Sequence, residues 1–134
     1  MSNNRDIPVL SARGLGVSYG DVQAVRGISL DVRPGEVVGL VGESGSGKSS
    51  VLRAVVGLLG ASGRVDTGEV AFCGERIDVT SRKRMAALRG AGIAYVFQDA
   101  AASLGPLSKI GAQFDECLRV HGVARGASAR EIER

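Results

Sequence analysis

Val37-Val38-Gly39-Leu40-Val41-Gly42-Glu43-Ser44-Gly45-Ser46-Gly47-Lys48-Ser49-Ser50-Val51-Leu52 is the stretch that decides the architecture of this chain. Its first five residues are a short continuous apolar run, the pattern of a strand buried on both faces. Gly42 to Ser49 then satisfies G-x-x-x-x-G-K-[ST], a spacing whose glycines let successive backbone N–H groups turn inward around phosphate oxygens. After it, Val51, Leu52, Val55, Val56 and Leu59 form an apolar stripe at helical spacing, with Gly57 or Gly60 placed to end the helix. A chance match is expected in roughly one chain in a few hundred, and the flanking strand and helix are the context that makes this one a phosphate loop. The helix starting near Lys48 aims its positive end at the anion, Lys48 can reach β- and γ-phosphates, and the Ser49 hydroxyl can ligate Mg²⁺.

Working outward, Val9 to Ser18 and Ala24 to Val32 alternate well enough to be strands, with Ile28, Leu30 and Val32 on one face. Arg33-Pro34-Gly35-Glu36 has Pro and Gly where a type II turn needs them, and joins the flanking strands as a hairpin. Glu69 to Cys73 reads as a strand, Ser81 to Arg89 as a charged amphipathic helix, Ile93 to Phe97 as a second buried strand, and Ser108 to Val120 as a helix. Ser128 and Glu131 have capping-box spacing, so a further helix is expected to begin as the chain stops at Arg134. Strands alternating with helices after an antiparallel start predict an α/β core with an added β layer. Gly14-x-Gly16 with Gly20 misses the dinucleotide-binding spacing by one residue and leads into no helix, so these are strand and turn glycines.

The 134 residues suffice for one domain with a real core. Apolar residues make up 44%, charged residues 23% and aromatics 4%, an ordinary globular balance except for 20 glycines. The net charge of +3 is spread along the chain without a block of like charges, so no nucleic-acid partner is expected. Arg82, Lys83 and Arg84 read as a solvated helix face. Cys73 and Cys117 have no metal or redox spacing, which fits a reducing cytoplasm. Apolar runs fall short of the roughly 20 residues that cross a bilayer, so any link to a membrane must come through a partner.

With these residues in view, the chain resembles the ATP-binding cassette family from Leu10 to Arg134. GESGSGKSS matches its loop wording. IAYVFQDAAASLGPLSKIGAQ resembles the strand, glutamine loop and following segment of its peptide and nickel importer branch, and Gly68-Glu69 with FCGERI the strand before it. Gln98 stands 50 positions after Lys48, the family's interval. The resemblance implies a P-loop nucleotide-binding core with an N-terminal antiparallel β layer. Residues 1–134 would be the first part of that domain, truncated before its helical subdomain is complete. It also implies that Tyr19 stacks on adenine. Gly42, Glu43, Ser44, Gly45, Ser46, Gly47, Lys48, Ser49 and Ser50 would cradle ATP, and Gln98 would join Ser49 at Mg²⁺ and orient the attacking water.

The family's serine-glycine-glycine-glutamine signature, its acidic metal-binding strand with the catalytic glutamate, and its switch histidine have no counterpart here. His121 lies too early to be that histidine, and Ala100 and Gly105 replace an expected proline and asparagine. The resemblance therefore implies an ATP-hydrolysing subunit, peripheral on the inner face of the cell membrane, that powers import of oligopeptide, dipeptide or nickel. Its partners would be transmembrane permease subunits and a second ATP-binding subunit. The 134-residue chain alone is expected to bind ATP without hydrolysing it, since Lys48 and Gln98 lack a metal-holding carboxylate and a base. The loop from Asp99 to Leu107 is expected to meet the membrane partner. The rival readings are a P-loop small-molecule kinase and a non-catalytic nucleotide-binding module.

Overall fold

The computed structural model describes residues 7–99 and 103–122. The chain divides into two compact units, Met1–Leu88 and Arg89–Arg134.

The first unit is built on a four-stranded antiparallel sheet of order β2-β1-β3-β4, from β1 (Leu10–Tyr19), β2 (Val22–Val32), β3 (Gly63–Phe72) and β4 (Glu75–Ile77). The central strand β1 is bonded on both sides, and Val17 stands opposite both Val25 and Val65. Ala12, Leu15, Val17, Val25, Val70 and Ile77 are buried. Helix α1 (Lys48–Val55) closes the layer by burying Val51, Ala54 and Val55 against β1, β2 and β3. Each buried Val, Leu or Ile side chain contributes about 1.5–3 kcal/mol when removed from water. Gly57 ends the helix in the left-handed region at φ 65°, its N–H bonded to the Ala54 carbonyl at 3.0 Å, so of the two stops expected it is the earlier one that is used, and Leu59 lies beyond the helix. Helix α2 (Arg82–Leu88) inserts Met85 and Leu88, while Arg82, Lys83 and Arg84 face solvent and Arg84 pairs with Glu75 at 2.7 Å.

Both strands of the first hairpin appear close to their expected bounds, and Gly14, Gly16 and Gly20 are strand and turn residues. The strand expected at Glu69–Cys73 begins earlier, at Gly63, because pairing with β1 extends to Tyr19.

Three expectations fail. The apolar run Val37–Val41 is not a buried strand: it forms no ladder, and Val37 and Val41 are 97% and 93% exposed. A strand buried on both faces needs neighbours on both edges and a layer over each face, and no strand among the described residues pairs with this run. The Pro34-Gly35 turn does form, with Gly35 at φ 74° and the Glu36 N–H on the Arg33 carbonyl at 3.0 Å. It joins β2 to this irregular segment rather than making a hairpin; the hairpin is the β1–β2 turn at Gly20-Asp21. For the same reason Ile93–Phe97 in the second unit is not a buried strand, and Val96 is 86% exposed. Ile93 makes a single parallel bridge to Arg89, and Tyr95 and Phe97 meet edge to face at 4.7 Å.

The second unit also holds α3 (Ile110–Val120), which buries none of its residues. Its Gln113 amide braces the preceding loop: Oε1 accepts the Gly105 N–H at 2.8 Å, and Nε2 donates to the carbonyls of Gly105 at 3.0 Å and Ser108 at 2.9 Å. The His121 ring rests on Gly90, at a place where a side chain would collide with it. The helix expected at Ser128 lies outside the described residues.

Three carboxylates of the first unit are held below the usual range. Asp31 is lowered mainly by its hydrogen bond from Arg13, Asp66 by Ser18 and then Arg64, and Asp78 by the Thr80 hydroxyl and N–H. A depressed folded-state value means the unfolded chain binds more protons, so this stability is complete above the ordinary carboxylate value and is lost as pH falls through the folded values. Urea unfolding should therefore show a midpoint that drops on acidification below about pH 4, and Asp31→Asn with Asp78→Asn should flatten that drop.

Candidate functional site

The residues from Gly42 to Ser50 hold a tight loop in front of α1, and its shape follows from two left-handed glycines, Gly45 at φ 80° and Gly47 at φ 89°. Gly47 is the N-cap of α1, and no side chain caps the helix. The first intrahelical bond is from the Val51 N–H to the Gly47 carbonyl, at 3.0 Å. The N–H groups of Lys48, Ser49 and Ser50 thus precede the helical ladder and stand at its positive end. A Cβ at Gly47 would collide with the Ala24 carbonyl and come within 3.1 Å of Val25 Cγ2. Backbone-to-backbone contact therefore sets the loop directly on β2.

Lys48 turns back into the loop. Its ammonium donates to the carbonyls of Gly42 at 2.8 Å and Glu43 at 2.5 Å, and to Ser46 Oγ at 3.3 Å. The Glu43 carbonyl also accepts the Ser46 N–H at 3.2 Å. Ser44 and Gly45 form the tip, the Ser49 side chain is exposed, and Ser50 is half-buried. Such a concentration of cationic and N–H donors suits a polyphosphate. The loop also forms one wall of a cleft of about 690 Å³ whose other wall is β2, with Ala24, Arg26 and Leu30 facing Gly42, Ser46 and Lys48.

Tyr19 is half-buried at the end of β1, opposite Val22 of β2 and Gly63 of β3. It does not line that cleft. Along β2, however, Val22 is only two or three residues from the Ala24–Val25 contact with Gly47, about 7–10 Å at strand rise. The structure thus seats the Gly42–Ser50 loop against the hairpin whose tip carries Tyr19. Gln98 is an exposed residue of the second unit, and the Ser103 hydroxyl bonds the neighbouring Asp99 carbonyl at 3.2 Å. Leu104 and Leu107 are exposed, and Ala100 lies outside the described residues. No cluster of metal-binding His, Cys, Asp or Glu side chains occurs among the described residues.

Sequence reasoning did not identify Ala24 and Val25 as the seat of the loop, nor Ser18, Gly63, Arg64 and Asp66 around Tyr19. The one available signal was Gly63 between Ser62 and an alternating Arg64-Val65-Asp66 run.

A family profile described as ABC transporter matches residues 25–133. The chain is 47% identical over 109 residues to the glutathione import ATP-binding protein GsiA of Escherichia coli (strain K12), covering 81% of this chain and 17% of that protein. It is 38% identical over 130 residues to the oligopeptide transport ATP-binding protein AmiE of Streptococcus pneumoniae (strain ATCC BAA-334 / TIGR4), covering 92% of this chain and 36% of that protein. The chain thus spans well under half the length of these relatives.

The contact geometry separates two loop glycines. Gly45→Ala meets open space and should cost only the left-handed penalty of about 1–2 kcal/mol. Gly47→Ala adds a collision with β2 backbone and should cost at least about twice as much, as read from urea midpoints of the two variants.

Proposed function

This chain belongs to the ABC transporter family, and we propose that it forms the phosphate-binding part of an ATP-binding subunit that drives import of a peptide-class cargo across a membrane. The observation that carries this reading is the Lys48 ammonium at the open N-terminus of α1, held by the loop's own carbonyls. In the absence of an anion those carbonyls satisfy the charge. A triphosphate offers oxyanions in their place, so each contact of the ammonium becomes one between opposite charges. The N–H groups of Lys48, Ser49 and Ser50 add donors of fixed direction, so binding needs little rearrangement.

The residues proposed for Mg²⁺ belong to different units, Ser49 to the first and Gln98 to the second. Ser49 offers one exposed hydroxyl oxygen, and Gln98 is the second candidate, with a neutral amide oxygen that can accept from water or face a cation. When bound, the metal would neutralise phosphate charge. Ser49 would orient it from the loop, and Gln98 would hold the attacking water. Tyr19 is our candidate platform for adenine, because an aromatic face binds a base without many hydrogen bonds.

Residues 1–134 would then be the first part of one nucleotide-binding domain, consistent with the small share of the relatives that they span. The relatives named above are a glutathione import and an oligopeptide transport ATP-binding protein, and these names favour peptide over nickel as the proposed cargo. No helix among the described residues is long and apolar enough to cross a membrane, so passage of cargo would belong to permease subunits, with this subunit attached at the inner face. A second ATP-binding subunit would complete the site. Exposed Leu104 and Leu107, on the loop braced by Gln113, are the surface proposed to meet the permease.

Calorimetry of the purified chain should show MgATP binding that Lys48→Ala weakens by roughly 1.5–3 kcal/mol, tenfold or more; unchanged affinity would remove the loop from the site. The same chain should show no ATPase activity above the Lys48→Ala control, and turnover that disappears in Asp99→Asn would show that the chain supplies its own metal carboxylate.

In a complete transporter, Gln98→Ala should leave ATP binding within a few fold while lowering transport-linked hydrolysis severalfold. Cysteines at residues 103–107 should crosslink to the permease. Normal transport by the variant, or no crosslink, rules out this loop as the coupling element.

A further inference from the structure

Tyr19 is held to β3 from both sides in the chain direction. Before it, the buried Ser18 hydroxyl donates to Asp66 Oδ2 at 2.5 Å. After it, the Gly20 carbonyl accepts Arg64 Nη1 at 2.9 Å, and the Gly20 N–H donates to the Ser62 carbonyl at 3.2 Å. Arg64 and Asp66 are themselves paired, Nε to Oδ1 at 2.7 Å. The residues on either side of Tyr19 are therefore tied to a single Arg64–Asp66 pair.

The ring has its own seat. Tyr19 stands opposite Gly63 in the β1–β3 ladder, and a Cβ at Gly63 would come within 2.9 Å of Tyr19 Cε1 and 2.8 Å of the Leu59 carbonyl. The ring thus occupies space that is vacant because residue 63 has no side chain. Tyr19 remains only half-buried, so part of it faces outward. A ring that is backed by a strand and still reachable from solvent loses little freedom when a planar ligand stacks on it.

We propose that Gly63 and the Ser18–Asp66–Arg64 network are positioning residues for a purine base stacked on Tyr19. This rests on the reading of Tyr19 as the adenine platform and names what orients it. Neither Gly63 nor Asp66 touches the base; both act by keeping the tyrosine in its competent orientation. If loss of the network leaves that orientation populated a third to a tenth of the time, apparent affinity falls by the same factor. Phosphate binding, made by the loop seated on Ala24 and Val25, does not.

The test uses the full 134-residue chain carrying Tyr95→Phe, which leaves Tyr19 as the one tyrosine. Calorimetric affinities for MgATP and for magnesium tripolyphosphate are compared, with quenching of Tyr19 fluorescence by ATP as a second readout. Tyr19→Ala should lower ATP affinity relative to tripolyphosphate. Asp66→Ala and Gly63→Ala should lower ATP affinity roughly three- to tenfold, reduce the quenching, and leave tripolyphosphate within twofold. Asp66→Asn, which keeps an acceptor for Arg64 and a partner for Ser18, should recover most of the loss. If Tyr19→Ala shifts the ratio while Asp66→Ala and Gly63→Ala do not, the positioning role is overturned and the adenine platform stands. If Tyr19→Ala leaves the ratio unchanged, or the parent chain binds ATP no better than tripolyphosphate, platform and positioning role both fall. Equal losses for both ligands in Asp66→Ala would assign the network to general folding and overturn the proposal; that variant decides the matter if Gly63→Ala does not fold.

Discussion

The approach of Gly47 to the backbone of β2, so close that a Cβ would strike the Ala24 carbonyl, ties the Gly42–Ser50 loop to the sheet, and the geometry of the candidate site follows from it. Because the contact is made by main chain on both sides, no side-chain rotamer can relax it. The loop starts α1 at a fixed point, and α1 then buries Val51, Ala54 and Val55 under the same sheet. Loop, helix and strand are one packed body, so open N–H groups at the helix start are presented in a constant direction.

The hairpin that receives the loop also carries Tyr19 at its tip. Its central strand is bonded on both sides, to β2 and β3, with Val17 between Val25 and Val65. A strand paired on both edges has little freedom to shift register, since a slip of one residue would turn its buried face outward. The separation between Tyr19 and the Gly42–Ser50 loop is therefore set by strand geometry. Polar ties finish the work at the tip, where Ser18, Arg64 and Asp66 leave Tyr19 between two anchored neighbours.

The second unit is organised differently. Its helix α3 buries nothing, and its order comes from polar bracing by Gln113 and from the His121 ring seated on Gly90. Gly105, where the family pattern has asparagine, presents backbone alone to the Gln113 amide, and that amide satisfies both its N–H and its carbonyl. Val96, Phe97, Leu104, Leu107, Ile110, Phe114 and Val120 are left exposed on this unit.

The sequence by itself determined what depends on local chemistry. Spacing from Gly42 to Ser49 gave the loop and the start of α1; alternation gave β1 and β2; Pro34-Gly35 gave a turn, and Gly57 a helix stop. Each of these is settled within a few residues by backbone sterics and side-chain period. Tertiary structure alone decided whether apolar runs became strands. Val37–Val41 and Ile93–Phe97 have the composition of buried strands, but a strand exists only when another supplies its hydrogen bonds, and among the described residues none does. Tertiary structure also decided which strand seats Gly47, why residue 63 must be glycine beneath Tyr19, and that Asp66 bonds Ser18 across 48 positions of chain. Such pairings depend on register between distant segments, which no local pattern records.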